Sequence, residues 1–291
     1  MNAILTREVS RFHRPAIGDL ALVAGFSALA IPTLISLADQ TWSREFGAYG
    51  PIVLVTGLWL LWRQLPEFQR EGRPGGLWLT ALIIAIALPL YVFGRAYDFI
   101  TLEAAGVYGI GISILQSRVG AKILLIHWFP LLYLGFVVPP PSSILADLTA
   151  PLKQLVSHAA TDWLSAFGVP VARQGVTIFV AQYQLLVEDA CSGMNSIVGL
   201  VAVSLLYIYL MRGSSLLYSL FLLAFVVPIA ILANIVRIMT LILLTYFFGN
   251  DVAQGFLHFT AGMLLFSTAL LCVFGIDQLI GYLQNRFRLA R

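Results

Sequence analysis

Charge is scarce in this 291-residue chain: Asp, Glu, Lys and Arg make up 11% of it, against about 25% in an ordinary soluble domain. That scarcity argues against a soluble globular enzyme. Seventeen basic against fourteen acidic residues leave a net charge of +3, too small an excess to suggest nucleic-acid binding. Two cysteines exclude a disulfide-stapled scaffold and a multi-cysteine metal centre, and neither a metal nor a cofactor is expected. What is abundant is apolar, 59% of the chain. At about 20 residues per crossing, this composition allows about eight transmembrane helices and one modest polar insertion. The expected fold class is an all-α polytopic membrane protein, a single integral membrane domain over residues 1–291, with the lipid bilayer as its main surroundings.

Apolar runs occur at Gly18–Ala38, Pro51–Leu65, Gly76–Gly94, Phe99–Gln116, Ala121–Val138, Cys191–Leu210, Ser215–Ile231, Ala233–Phe248 and Phe256–Leu283. The first follows Arg7, Arg11 and Arg14 and resembles the start of a signal peptide, but it has the length of a full span and reads as an uncleaved helix. The fourth is the weakest, because Glu103 and several glycines dilute it.

Lys and Arg collect in short cytoplasmic loops. Arg7, Arg11 and Arg14, then Arg63, Arg70 and Arg73, then Arg118 and Lys122, then Arg212 all fall on one side if the N-terminus is cytoplasmic. Nine crossings would leave Arg286, Arg288 and Arg291 on the wrong side, so one apolar run must not cross. Ala233–Phe248 is the expected exception: Pro228 and Asn234 offer a break, and Arg237 at the bilayer centre would cost about 2.5–3.5 kcal/mol. The expectation is therefore eight crossings and one bent or re-entrant helical segment at the outer face.

Residues 139–190 form the insertion, assigned to the non-cytoplasmic side. Ile144, Leu148, Leu152, Leu155, Ala159, Trp163 and Phe167 recur every three or four positions, with Asp147, Lys153, His158 and Asp162 between them. This predicts an amphipathic helix on the outer leaflet. Gly168, Pro170 and Gly175 interrupt it. Val176–Val180 and Tyr183–Val187, separated by Ala181-Gln182, then read as a β-hairpin. Together they predict a small extracytoplasmic cap.

The hairpin leads into Glu188-Asp189-Ala190-Cys191-Ser192-Gly193 at the start of the next membrane helix. A helix N-terminus or a nearby cation lowers a thiol pKa from about 8.5 towards neutrality. Ser192 and Gly193 let backbone N–H groups approach a developing oxyanion. Glu188 and Asp189 oppose the thiol shift, and a lone cysteine in apolar surroundings is ordinarily a packed small hydrophobe. Cys272, about 21 Å deeper than His258 at helical rise, reads as such a packing residue.

Two further residues raise the odds. Arg237 lies among apolar residues and is either functional or an anchor snorkelling to lipid headgroups. His258 opens the last run at the depth assigned to Cys191; it is either a structural hydrogen-bonding residue or the natural base for a thiol. His127 and His158 are weaker candidates.

Three motifs, Ala-Cys-Ser-Gly (190–193) at a helix start, Asn234-x-x-Arg237 in an apolar segment and His258 opening the last span, occur in this order with the expected hairpin and eight crossings. In this the chain resembles the exosortase branch of the exosortase and archaeosortase family, from Gly76 onward. The resemblance implies a bacterial inner-membrane cysteine transpeptidase with its site on the periplasmic side. Its partners would be membrane-anchored proteins carrying a C-terminal sorting tail of the Pro-Glu-Pro (PEP-CTERM) type, and an acceptor that the sequence does not name. It also implies that Cys191 is the nucleophile, Arg237 the transition-state stabiliser and His258 the general acid/base, with Glu188, Ser192, Gly193, Asn195 and Asn234 in support. Some exosortases carry a fused C-terminal domain; with the chain ending at Arg291, any such contribution is expected to come from a separate protein or to be absent. The competing classes are a transporter or lipid-handling protein, with Arg237 and Glu103 lining a polar path, and a purely hydrolytic intramembrane cysteine protease.

Overall fold

A computed structural model describes residues 17–43, 47, 49–186, 196–212, 216–249 and, in the last apolar run, 267–268, 271–272, 274–279 and 282. The protein is a helical membrane protein with one small sheet. Helix α1 (Ile17–Leu37) runs on into a π-helical turn (Ala38–Trp42). It is followed by α2 (Gly50–Glu71), α3 (Leu77–Ala96) and α4 (Ile100–Val119). Among the described residues, four helices are long and apolar enough to cross a membrane: Ile17–Trp42, Leu77–Ala96, Ile100–Val119 and Ala224–Phe248.

Two of the basic loops gather at one end, beside the start of α1. Arg118, at the end of α4, pairs with Asp19 at the start of α1. The Arg73 and Gly75 amides donate to the carbonyls of Val119 and Ser117, each at 3.2 Å. The α2–α3 turn therefore lies against the α4 terminus, beside the first turn of α1, as the charge pattern requires.

Glu103 and the glycines do not weaken the fourth span; they join it to α3. A Cβ on Gly106 would strike the Tyr91 backbone at 2.5 Å, and one on Gly109 would meet the Ala87 side chain at 2.8 Å. The absent side chains let two membrane helices approach closely, which is how helices associate where lipid removes the hydrophobic driving force. Buried Glu103 accepts hydrogen bonds from Thr33 Oγ1 (2.8 Å) and Arg95 Nη1 (3.0 Å), so α1, α3 and α4 share one polar clasp.

The fifth apolar run is not one helix. It is split at His127 into α5 (Ala121–Ile126) and α6 (Trp128–Gly135). Pro130 explains this, since it has no N–H to bond to the preceding turn and is tolerated only in the first turn of a new helix. His127 Nε2 lies 3.2 Å from Glu67 Oε2, with its ring edge-on to Phe68.

The insertion is folded as a cap. Helix α7 (Ser142–Ala166) carries the predicted amphipathic pattern. Its face Val156, Ala160 and Leu164 is buried, while Ile144, Leu155 and Trp163 remain exposed, as for a helix resting on a lipid surface. Three antiparallel strands follow: β1 (Val171–Gln174), β2 (Thr177–Val180) and β3 (Tyr183–Leu186). Strands β2 and β3 form the expected hairpin, with Val180 opposite Tyr183. Ala181 in its turn takes φ 51°, a left-handed conformation that costs a side-chain-bearing residue about 1–2 kcal/mol. Strand β1 was not anticipated. Gly175, with φ 65°, makes its turn to β2 and is the signal that marks it.

Beyond the sheet come α8 (Ser196–Arg212) and α9 (Leu216–Phe248). Helix α9 corrects one expectation: there is no break at Pro228 or Asn234, and the two runs expected on either side are joined in one continuous 33-residue helix, Leu216–Phe248, with Pro228 inside it. The premise for the break was the cost of Arg237 at mid-bilayer. At 1.5 Å per residue, Arg237 lies about 32 Å along the helix from Leu216, a full hydrocarbon thickness of about 30 Å. The whole helix is about 50 Å long, longer than a hydrocarbon core of about 30 Å requires; Ala224–Phe248 is the stretch long and apolar enough to cross, and the second half also meets the cap. That half is the pillar of the cap: Ile235, Ile238 and Ile242 form one buried cluster with Val156, Ala160 and Leu164 of α7 and with Ile178, Val180 and Leu185 of the sheet.

Candidate functional site

Of the residues singled out from the sequence, Glu188, Asp189, Cys191, Ser192, Gly193, Asn195 and His258 lie outside the described residues. Asn234 and Arg237 are described, and both are buried, at 4% and 6% exposure. For Arg237 this number decides between two roles. An arginine anchored on lipid headgroups extends its guanidinium to the surface, whereas this one is enclosed by protein.

Helical geometry fixes the direction in which it is enclosed. Ile235, Ile238 and Ile242 are the stripe that packs on the cap. Val226, Ala230 and Ala233 belong to the cluster shared with Leu200, Val201 and Ile208 of α8. At 100° per residue, Val226, Ala230, Ala233 and Arg237 follow one another on one face, at i, i+4, i+7 and i+11. Arg237 therefore continues the α8-facing stripe one turn beyond the level where α8 begins at Ser196. Asn234, three residues earlier, lies between that stripe and the cap stripe.

The chain on either side of residues 187–195 is held against this part of α9. At the upstream end, Tyr183 opens β3 beside the α9 terminus, its Oη 3.5 Å from where a Cβ on Gly249 would stand; Leu185 then joins the Ile235/Ile238/Ile242 cluster. The polypeptide thus runs down α9 from the level of Gly249. At the downstream end Leu200 packs with Ala230 and Ala233. A third element closes in here: a Cβ on Gly199 would meet the Tyr49 side chain at 3.1 Å, so the turn before α2 reaches the first turns of α8. Burial pushes the Tyr49 phenol above its ordinary value, which keeps its hydroxyl protonated and able to donate. Tyr49 had no sequence signal of its own, because only the fold brings it to α8.

The last run contributes a residue that the sequence did display. Asp277 is 1% exposed and accepts a hydrogen bond from Tyr207 Oη at 2.8 Å, with Phe274 edge-on to the Tyr207 ring. This locks the end of the last run against α8.

The weaker candidates fall elsewhere. His127 sits at the α5–α6 break against the end of α2, and His158 is exposed on α7. Glu103 is held in its clasp with α1 and α3, whereas Arg237 lies on the α8-facing stripe of α9. Cys272 is exposed rather than packed inside the protein; on a membrane helix an outward thiol faces lipid.

Comparison with known proteins agrees with this architecture. The chain matches the transmembrane exosortase family (Exosortase_EpsH) over residues 42–275, a span that contains Cys191, Arg237 and His258. It belongs to that family. No curated protein and no solved structure matches it. Family membership supports, in general terms, a multi-pass membrane transpeptidase or protease.

Proposed function

We propose that the protein is a cysteine transpeptidase that cleaves the C-terminal sorting tail of exported, membrane-anchored proteins at the outer face of the bacterial inner membrane. The observation that carries this reading is the burial of Arg237 on the α8-facing stripe of α9, directly beyond the start of α8. Cys191 precedes the start of α8 at Ser196 by five residues, and Arg237 continues the α8-facing stripe of α9 beyond that start. The Tyr207–Asp277 hydrogen bond ties the run that His258 opens to the same helix. The merged α9 supports eight crossings as well, because it removes the ninth run and keeps both termini on the basic side.

In this reading the Cys191 thiolate attacks the scissile carbonyl of a tail whose helix lies in the bilayer beside the enzyme. The guanidinium of Arg237, with backbone N–H groups near Ser192 and Gly193, holds the oxyanion, and Asn234 steadies the arginine. His258 gives its proton to the departing amine, which leaves with the tail, and a thioester remains on Cys191. The acceptor, an amine or water, then attacks that thioester; His258 takes its proton and the Cys191 thiolate is expelled, ready for another cycle. The test is co-expression with a PEP-CTERM substrate and mass spectrometry of the product. A new C-terminus just before the tail helix, absent with Cys191→Ala, is the expected result. Unchanged cleavage by that variant overturns the proposal, and the mass of the new terminus distinguishes transfer from hydrolysis.

A further inference from the structure

A second site lies apart from the α7–α9 region. Between α1, α2, α4 and α6 there is a cavity of about 400 Å³ lined by apolar side chains, among them Phe26, Ala30, Leu37, Leu58 and Val137, and by Thr33, which bonds to Glu103. Its lining runs from Phe26 to Leu37 on α1, about 16 Å at helical rise, which matches one leaflet of a hydrocarbon core about 30 Å thick. That length and a largely apolar lining suit a single hydrocarbon chain.

The polar end has a matching chemistry. Thr33 bonds to Glu103, which pairs with Arg95, and Arg95 Nη1 also donates to Ser36 Oγ at 3.1 Å. The Arg95 side chain is 48% exposed, so its Nε and Nη2 donors remain for a phosphate. This end is opposite the Asp19–Arg118 pair and therefore lies in the other leaflet. We propose that the slot holds one acyl chain of a phospholipid from the leaflet at the Arg95 end, with its headgroup phosphate on Arg95. The lipid fills a gap that would otherwise leave α1 poorly joined to the bundle.

The probe is phosphatidylglycerol with two 16-carbon chains, added to the full-length protein in detergent and followed by native mass spectrometry. Wild type should retain one lipid. Gly111→Leu, where a Cβ meets only the Phe26 ring at 3.5 Å, and Ala30→Leu should each lower retention about tenfold by filling the slot, the effect of excluding roughly two methylenes. Leu82→Ala on the outward face of α3 should change nothing, and wild type should hold an eight-carbon-chain analogue far less well. Arg95→Gln should reduce the preference for phosphatidylglycerol over phosphatidylcholine. Equal retention by wild type and both filled variants, or indifference to chain length, overturns the proposal. Displacement of the lipid by a synthetic sorting-tail helix also overturns it, by making the slot a substrate path.

Discussion

Tyr207 donates a 2.8 Å hydrogen bond to Asp277, and this contact sets the height of the last run against α8. The tyrosine is on the helix that begins just after Cys191, and the aspartate is on the run that His258 opens. Tyr207→Phe leaves a buried carboxylate without that donor. Hydrogen bonds to charged groups are worth about 1.5–3 kcal/mol in general and often less between membrane helices. A drop of a few degrees in thermal midpoint is expected, with a larger proportional loss of processing. Asp277→Ala should be worse on both counts. Processing at the wild-type rate by Tyr207→Phe would separate this bond from the alignment of the proposed site.

Cys191→Ala and Cys191→Ser are expected to abolish tail processing while expression and membrane insertion stay normal. Cys272→Ala should be neutral, since that thiol is exposed on the membrane-facing surface. Product analysis beside an immunoblot of the membrane fraction checks both.

Arg237→Lys keeps a positive charge but loses the planar fork of donors. Loss of one aimed donor typically costs about 10²–10³ in rate, so kcat should fall by about that much with substrate binding preserved. His258→Ala should be similarly impaired. Residues acting as one unit are strongly non-additive, so Arg237→Lys combined with Cys191→Ala should be no worse than Cys191→Ala. Processing by Arg237→Lys within a few-fold of wild type would make the arginine an electrostatic positioner.

Single cysteines at Tyr183, Asp251 and Gln284 of a Cys-free variant should react with an impermeant maleimide from two different sides. Tyr183 and Asp251 label from outside, because Tyr183 stands beside the α9 terminus, and Gln284 labels only after permeabilisation. Labelling of all three from the same side would refute eight crossings.

Gly106→Leu should prevent folding or sharply reduce the yield of folded protein, because its side chain would enter the Tyr91 backbone, whereas Gly76→Leu should be silent with nothing within 4 Å. Fluorescence-detected size-exclusion chromatography of the two variants makes the comparison.

Most of the architecture was legible in hydropathy and charge, because a bilayer forces apolar runs of fixed length and collects basic residues on one side. The amphipathic pattern of α7 and the Ala181-Gln182 turn were equally plain, since both follow local periodicity. What hydropathy could not supply was the partner of each segment. Pro228 and Asn234 looked like a break because the pattern cannot tell a helix that stops from one that continues into a protein cap. Glu103 and Gly106 looked like defects for the same reason, although one is a clasp and the other a packing surface. Asp277, an acid in an apolar run, was not singled out from the sequence, because its role depends on Tyr207, 70 residues away. Arg237 was found from sequence because burying an ionisable group is costly wherever it is placed.

Because α9 is one helix from Leu216 to Phe248, the distance of Arg237 from the start of that helix is set by helical rise and not by a break at Asn234. In the function proposed above, a substrate moored in the same bilayer would meet that arginine according to how many residues separate its scissile bond from its own hydrophobic stretch. Selection by distance would need little side-chain recognition, and it would make the thickness of the host membrane a part of the specificity.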